Sequence, residues 1–269
     1  MKKADYIPLV IVAGLFGFIA ALRLRAPSSS TTTAETVADS SPGVAPSRTT
    51  STAASVAAAG RPPDDVDATV RITSDPAPVR DLDDLRRQLR MGESGTYLTA
   101  MLKQLDSALY RWNDRLVDPL RVWIAAAPGP EPDVQVREVR SAFNEWASLG
   151  IPVRFTFVVQ RGDADIVVNW IDRFTSDNRV GNTRWVHDQH LWMQPGTEIT
   201  IATHYMQGQL IPTTLIRGVA LHEIGHLLGM PHSPDTTDIM FPKMHSPQLS
   251  QADRATVRLL YSVPAGSVK

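Results

Sequence analysis

The 269-residue sequence predicts an α/β (α+β) sheet domain in its C-terminal half. Two observations carry that prediction. After Pro119, short stretches of apolar, β-branched and aromatic residues alternate with amphipathic stretches of a dozen or more residues. The composition, 43% hydrophobic and 20% charged, is that of a globular chain able to bury one sizeable core. Lys+Arg 27 against Asp+Glu 28 leaves a net charge of -1, so nucleic acid is excluded as an expected partner. The count of Cys 0 excludes disulfides, thiolate metal sites and a thiol nucleophile, and any metal must be held by His, Asp or Glu.

Taken in order, residues 1–25 read as a membrane anchor or export signal. The uncharged run Tyr6–Leu22 follows Lys2 and Lys3, lies at the short edge of what spans a bilayer, and has only a poor cleavage site at Ala20-Ala21, which favours an uncleaved anchor. Residues 26–80 read as a flexible linker. Its first part, Ala26–Pro63, is almost wholly Ser, Thr, Ala, Pro and Gly without one aromatic, and Arg61-Pro62-Pro63-Asp64-Asp65 continues the loop. Residues 81–118 show a helical apolar period, with Leu82, Leu85 and Leu89, then Leu98, Leu102, Leu105, Leu109, Trp112 and Leu116, interrupted by Glu93-Ser94-Gly95. The expectation is an amphipathic helical segment packed on the neighbouring domain, a candidate pro-segment.

The main domain is expected over 119–263, followed by a 264–269 tail. Leu120–Ile124 predicts a strand, Val134–Leu149 a helix stopped by Gly150, and Val153–Val158, Asp165–Trp170 and Glu198–Ala202 further strands. Pro212 and Thr213 open a helix whose apolar stripe includes Leu215, Ile216, Val219, Leu227 and Leu228. His222 and His226 are four apart on one face of it and can grip one ion. Gly229 lets the chain leave the helix in a left-handed conformation that swings His232 toward the same ion. Three neutral nitrogens suit zinc with one position open for water, as catalytic sites require, and Glu223 next to the first ligand can take a proton from that water. Hydrolysis of an amide is the expected result.

The spacing His222-Glu223-x-x-His226-x-x-Gly229-x-x-His232 resembles that of the metzincin zinc endopeptidases, and Ser233 after the third histidine resembles the matrixin branch. Ile239-Met240-Phe241-Pro242 is similar to the family's Met-turn, and Leu249–Asp253 through Tyr261 to its C-terminal helix, with Ser250 as N-cap. The resemblance implies a twisted mixed sheet with an antiparallel edge strand, an active-site helix, a backing helix and a C-terminal helix. It implies one catalytic Zn2+ on His222, His226 and His232, Glu223 as general base and then acid, and support of the site by Met240 and Gly229. The substrate would be an extended peptide added to the edge strand around Val180–Trp185, with Gly181, Asn182 and Thr183 at that edge and Gly181 giving the peptide backbone room. Pro242 and His245 would wall the pocket after the scissile bond.

Departures from the family pattern matter as well. Without cysteine, latency through a thiol on the zinc is ruled out. Thr175–Gln194 lacks the His/Asp pattern of a structural zinc and calcium loop, so His187 and His190 are expected as exposed loop residues, and His204 and His245 as surface or pocket-wall residues. Asp163 and Asp165 are the candidates for a Ca2+ site, though a turn and a strand entry explain them too. The resulting expectation is a membrane-anchored zinc endopeptidase acting on protein or peptide substrates outside the cytoplasm, with the N-terminus inside. It would be secreted if the N-terminal segment is cleaved. The rivals are a zinc-containing peptide-binding module and a surface-tethered interaction protein whose 81–118 segment is the working part.

Overall fold

A computed structural model describes residues 65–77, 79–243, 245 and 247–269. The expected anchor, Tyr6–Leu22, and the Ser/Thr/Ala/Pro-rich stretch to Pro63 lie outside the described residues. Among the described residues no helix is long and apolar enough to cross a membrane.

Strands β1 (Val66–Arg71), β3 (Arg115–Ile124), β4 (Val153–Phe157), β5 (Ile166–Ile171), β6 (Gly181–Asp188) and β7 (Thr197–Ala202) form one sheet in the order β1-β6-β7-β5-β3-β4. Buried β-branched residues such as Val122, Ile166, Val168, Ile199 and Ile201 build its inner positions. All neighbours run parallel except β6 and β7, which pair antiparallel from Gly181↔Ile201 to Arg184↔Glu198. This is the expected mixed sheet with one correction. β6 is not the outermost strand, because β1 pairs along it in parallel from Val66↔Thr183 to Arg71↔Asp188. The segment read as linker loop therefore contains a strand.

Two helices back the sheet. α3 (Pro132–Ala147) starts on a proline that needs no amide partner and buries Val139, Phe143 and Trp146. It packs on α4 (Thr213–Leu227), which is buried from Val219 through Leu227, so its polar residues must be there for a reason other than solvation. α5 (Gln251–Tyr261) begins with a capping box in which Ser250 Oγ accepts from the Asp253 amide while Asp253 accepts from the Ser250 amide. The same Asp253 carboxylate accepts from the Ile239 amide, tying α5 to the turn before Met240.

The single helical period expected over 81–118 is divided. Asp81 caps α1 (Leu82–Gly92), and α2 (Leu98–Gln104) follows. Then Asp106 and Ser107 take positive φ of 50° and 64°, which ends the helix. Ala108–Leu109 forms β2, paired antiparallel with β8 (Gly266–Ser267), and Leu116 lies on β3 rather than on a helix. Leu109 on β2 and Trp112, which lies in no helix, keep their apolar role, and the heptad-like spacing there is coincidental. Leu85, Leu89, Leu98, Met101 and Trp112 belong to the same core cluster as Phe143, Ile216 and Leu227.

Candidate metal centre and cleft

Two indoles fix the helix that carries the expected chemistry. Trp146 Nε1 donates to the Leu221 carbonyl at 2.9 Å, and Trp112 Nε1 donates to the Leu227 carbonyl at 2.9 Å, so α4 is held on both sides of His222 and His226. Gly229 then turns the chain with φ +93°, and a β-carbon there would come within 2.8 Å of the Tyr110 carbonyl carbon. Only glycine meets both demands. The turn brings His232 back toward the helix.

The three imidazoles converge. The Nε2 atoms of His222, His226 and His232 lie 3.2, 3.1 and 3.0 Å from Asp65 Oδ2, and those of His222 and His226 lie 3.1 Å from one another. His222 Nδ1 lies 2.7 Å from the Ile239 carbonyl and His226 Nδ1 2.8 Å from the Met230 carbonyl. A carbonyl can only accept, so those nitrogens carry the ring protons and the Nε2 lone pairs point inward. Burial lowers the pKa of His226 to about 4, which keeps that ring neutral.

An imidazole Nε2 facing a carboxylate oxygen needs a proton or a metal ion between them, and three such nitrogens around one oxygen form a donor set that fits a single metal ion. The spacing fits as well. Four of the six separations among these donor atoms are 3.0–3.2 Å and all lie within 4.8 Å, a spacing that one ion with bonds of roughly 2.0–2.2 Å can bridge. Among the described residues these four form the one group of His, Asp and Glu able to hold a metal ion.

Glu223 is buried beside this cluster. Its Oε2 accepts from Thr183 Oγ1 at 2.7 Å, and the Thr183 hydroxyl also lies 3.0 Å from the Glu223 carbonyl. Burial pushes the Glu223 carboxyl up to about 8, with His222 and the Thr183 hydroxyl opposing the rise and the Asp65 charge adding to it. A cation at the histidines would act in the lowering direction. Gly181 faces the same carboxylate: a β-carbon would lie 2.6 Å from Glu223 Cδ and 2.7 Å from Cγ. The glycine read as room for a substrate backbone is therefore needed by Glu223 itself.

Met240 packs beneath α4, its Cε 3.0 Å from where a β-carbon on Gly225 would stand. Asn182 points elsewhere and accepts from Arg179 Nη1 at 2.7 Å. Pro242 and His245 line a cavity of about 340 Å³ next to Asp65, His222 and Glu223, together with Ile211, Leu215 and Val219. His245 is exposed on the rim and packs on Phe241.

Two expectations change among the other histidines. His187 is not an exposed loop residue: it is 4% exposed on β6 and stands edge-on to Tyr110. His190 is only partly buried and lies 3.1 Å from the Asp75 carbonyl. His204 pairs with Asp172 at 2.9 Å, away from the three converging rings. Asp165, which enters β5, accepts from Arg121 Nε and Nη2 at 3.1 and 2.8 Å. The residue that sequence reasoning missed is Asp65. It stands 157 positions before His222, and its only local signal is the β-branched, alternating stretch Val66–Arg71 that follows it.

A mixed sheet backed by a helix presenting two histidines four apart, with a third brought in by a glycine turn, is the layout of a metzincin-type metal site. A family model described as Matrixin matches residues 124–262, and the chain belongs to the matrixin family, a family of metalloendopeptidases. The interstitial collagenases of Equus caballus and Sus scrofa are each 30% identical to it, over 139 and 132 residues, which is 49% and 46% of this chain. That of Bos taurus is 29% identical over 130 residues. The matched stretches make up 29%, 28% and 27% of those proteins, so the chain spans less than a third of their length.

Proposed function

We propose that this chain is a zinc-dependent endopeptidase in which His222, His226 and His232 hold the metal and Glu223 moves the proton. The observation that carries the reading is the convergence of three imidazole Nε2 atoms, two with their Nδ1 protons committed to backbone carbonyls, beside a buried carboxylate. Zinc bound there would acidify a water and polarise a scissile carbonyl. Glu223 takes the proton of the attacking water at a carboxylate oxygen and passes it to the leaving amine, its orientation kept by the Thr183 hydroxyl. Met240 and Gly229 hold the helix floor and the turn. Support for an extended peptide substrate comes from β6, whose side facing away from β7 accepts an added strand: β1 pairs there from Thr183 to Asp188. The neighbouring cavity of about 340 Å³, with Ile211, Leu215, Val219 and Pro242 on its walls, suits an apolar side chain after the cut bond.

Action outside the cytoplasm, from a membrane tether, is the reading of the Tyr6–Leu22 run and the spacer behind it. The test is cleavage of a peptide library by the full chain, as it stands and with Asp65→Ala, each depleted of zinc and then restored. Zinc-dependent cleavage in either protein is expected. No cleavage in both, with zinc bound, would favour the peptide-binding module instead.

A further inference from the structure

We propose that Asp65 is a fourth ligand of the metal and that β1 is a built-in plug, so that this chain is latent until β1 leaves β6. The inference rests on the zinc reading above. Its first support is placement: Asp65 Oδ2 lies within 3.2 Å of all three Nε2 atoms, where it would take the fourth position that the reaction requires for water. Its second support is the strand that carries it. The Thr183 amide donates to the Asp65 carbonyl at 3.0 Å, and β1 continues in register along β6 over the ladder a substrate would use. What this strand presents to the metal is a side-chain carboxylate, not a peptide carbonyl, so no scissile bond is offered.

The plug is built to come away. Of β1 only Val66 is buried, and the other five residues are exposed. Beyond it the chain is fastened by Thr73 to Gln189, at 2.9 and 2.7 Å, and residues 74–77 are exposed before Arg80 donates to the Ser267 carbonyl. While the chain is continuous, the carboxylate acts at the high effective concentration of a tethered ligand. If a protease adds water across one peptide bond within residues 74–77, leaving a new carboxylate and a new amine, the plug becomes a separate peptide held by Asp65, the Val66 side chain, the ladder and the Thr73–Gln189 bonds, with no covalent link to the domain. Dilution then favours its loss. A carboxylate would thus do what the absent cysteine cannot.

The test uses the full chain loaded with cobalt(II) in place of zinc and acetohydroxamate, a small probe that needs only the metal's free position. The unmodified chain, Asp65→Ala and Asp65→Asn are compared by visible absorption and by titration. If the plugged state holds at least nine molecules in ten, removing Asp65 tightens acetohydroxamate binding about tenfold or more, and the cobalt spectrum changes before any probe is added. Asp65→Asn, which keeps the shape of the strand, should move the same way to a smaller extent. Equal probe affinity and identical spectra in all three proteins would overturn the proposal, as would failure of all three to take up cobalt. An Asp65→Ala protein that binds cobalt and probe more tightly yet cleaves no peptide would sustain the plug while refuting the endopeptidase reading.

Discussion

Replacing Gly181 with alanine is the sharpest probe of how the fold sets the carboxylate of Glu223, the proposed base. The new β-carbon would stand 2.6 Å from Glu223 Cδ and 2.7 Å from Cγ, whereas carbon atoms rest at roughly 3.5 Å or more, so the carboxylate must retreat by about 1 Å. That breaks the 2.7 Å bond from Thr183 Oγ1 and, on the proposed mechanism, moves the base off its water. A misplacement of about 1 Å costs on the order of 10²-fold in rate, equivalent to ~2.7 kcal/mol. Stability should change little. The lost hydrogen bond costs about 1 kcal/mol, and the smaller entropy of the unfolded alanine chain returns roughly 0.4–1 kcal/mol.

The assay is kcat and KM on a long peptide together with zinc content and Tm, carried out in the parent and in the Asp65→Ala background. A kcat about a hundredfold lower with KM, zinc and Tm nearly unchanged is the expected result. A kcat within twofold of the parent would refute the reasoning. A rise confined to KM for long peptides would return Gly181 to the substrate-spacing role that the sequence suggested.

Other perturbations separate metal holding from folding. His232→Ala made in the Asp65→Ala chain leaves only His222 and His226 of the convergent donors, so zinc should be lost on dialysis against a mild chelator while far-UV circular dichroism is retained; stoichiometric zinc after dialysis would exclude His232 as a ligand. Gly229→Ala puts a side chain at φ +93° against the Tyr110 carbonyl, and the left-handed backbone alone costs about 1–2 kcal/mol, so a drop of several degrees in Tm is expected, and an unchanged Tm would contradict it. Burial would raise the Asp165 pKa, but the hydrogen bonds and charge of Arg121 outweigh it and hold the carboxyl below its ordinary value. The stability it contributes is therefore present at neutral pH and lost as the pH falls through the carboxylate range, and Asp165→Asn should flatten the acid limb of a denaturation midpoint against pH.

The histidine-bearing helix was legible in the sequence because its pattern is local. His222 and His226 share a face through helix periodicity alone, and Gly229 announces the turn that redirects His232. The strands of 120–202 were legible by alternation, and α5 by the Ser250–Asp253 box. What could not be read depends on contacts between distant segments. The leucine period of 98–116 persists whether the backbone is helical or extended, and only the positive φ at Asp106 and Ser107 and the pairing of Leu109 with Gly266 decide for a strand. The partner of β6 and the fourth corner of the histidine cluster both come from a stretch whose composition reads as linker. Asp65 there is one acidic residue among many, and nothing in spacing links it to His222. Gly181 was singled out, but the group it makes room for is set by how α4 lies against β6.

The central claim is that Glu223 drives hydrolysis at a metal held by the three histidines, and the measurement that tests it most directly is Glu223→Ala made in the Asp65→Ala chain. Glu223 is not among the four residues whose donor atoms converge, so zinc should stay at one per chain, measured by atomic absorption. Peptide hydrolysis should fall by about 10²–10⁴-fold or more, because proton transfer is removed without a ligand. Retained hydrolysis with zinc bound would contradict the account, and so would loss of the zinc along with the activity.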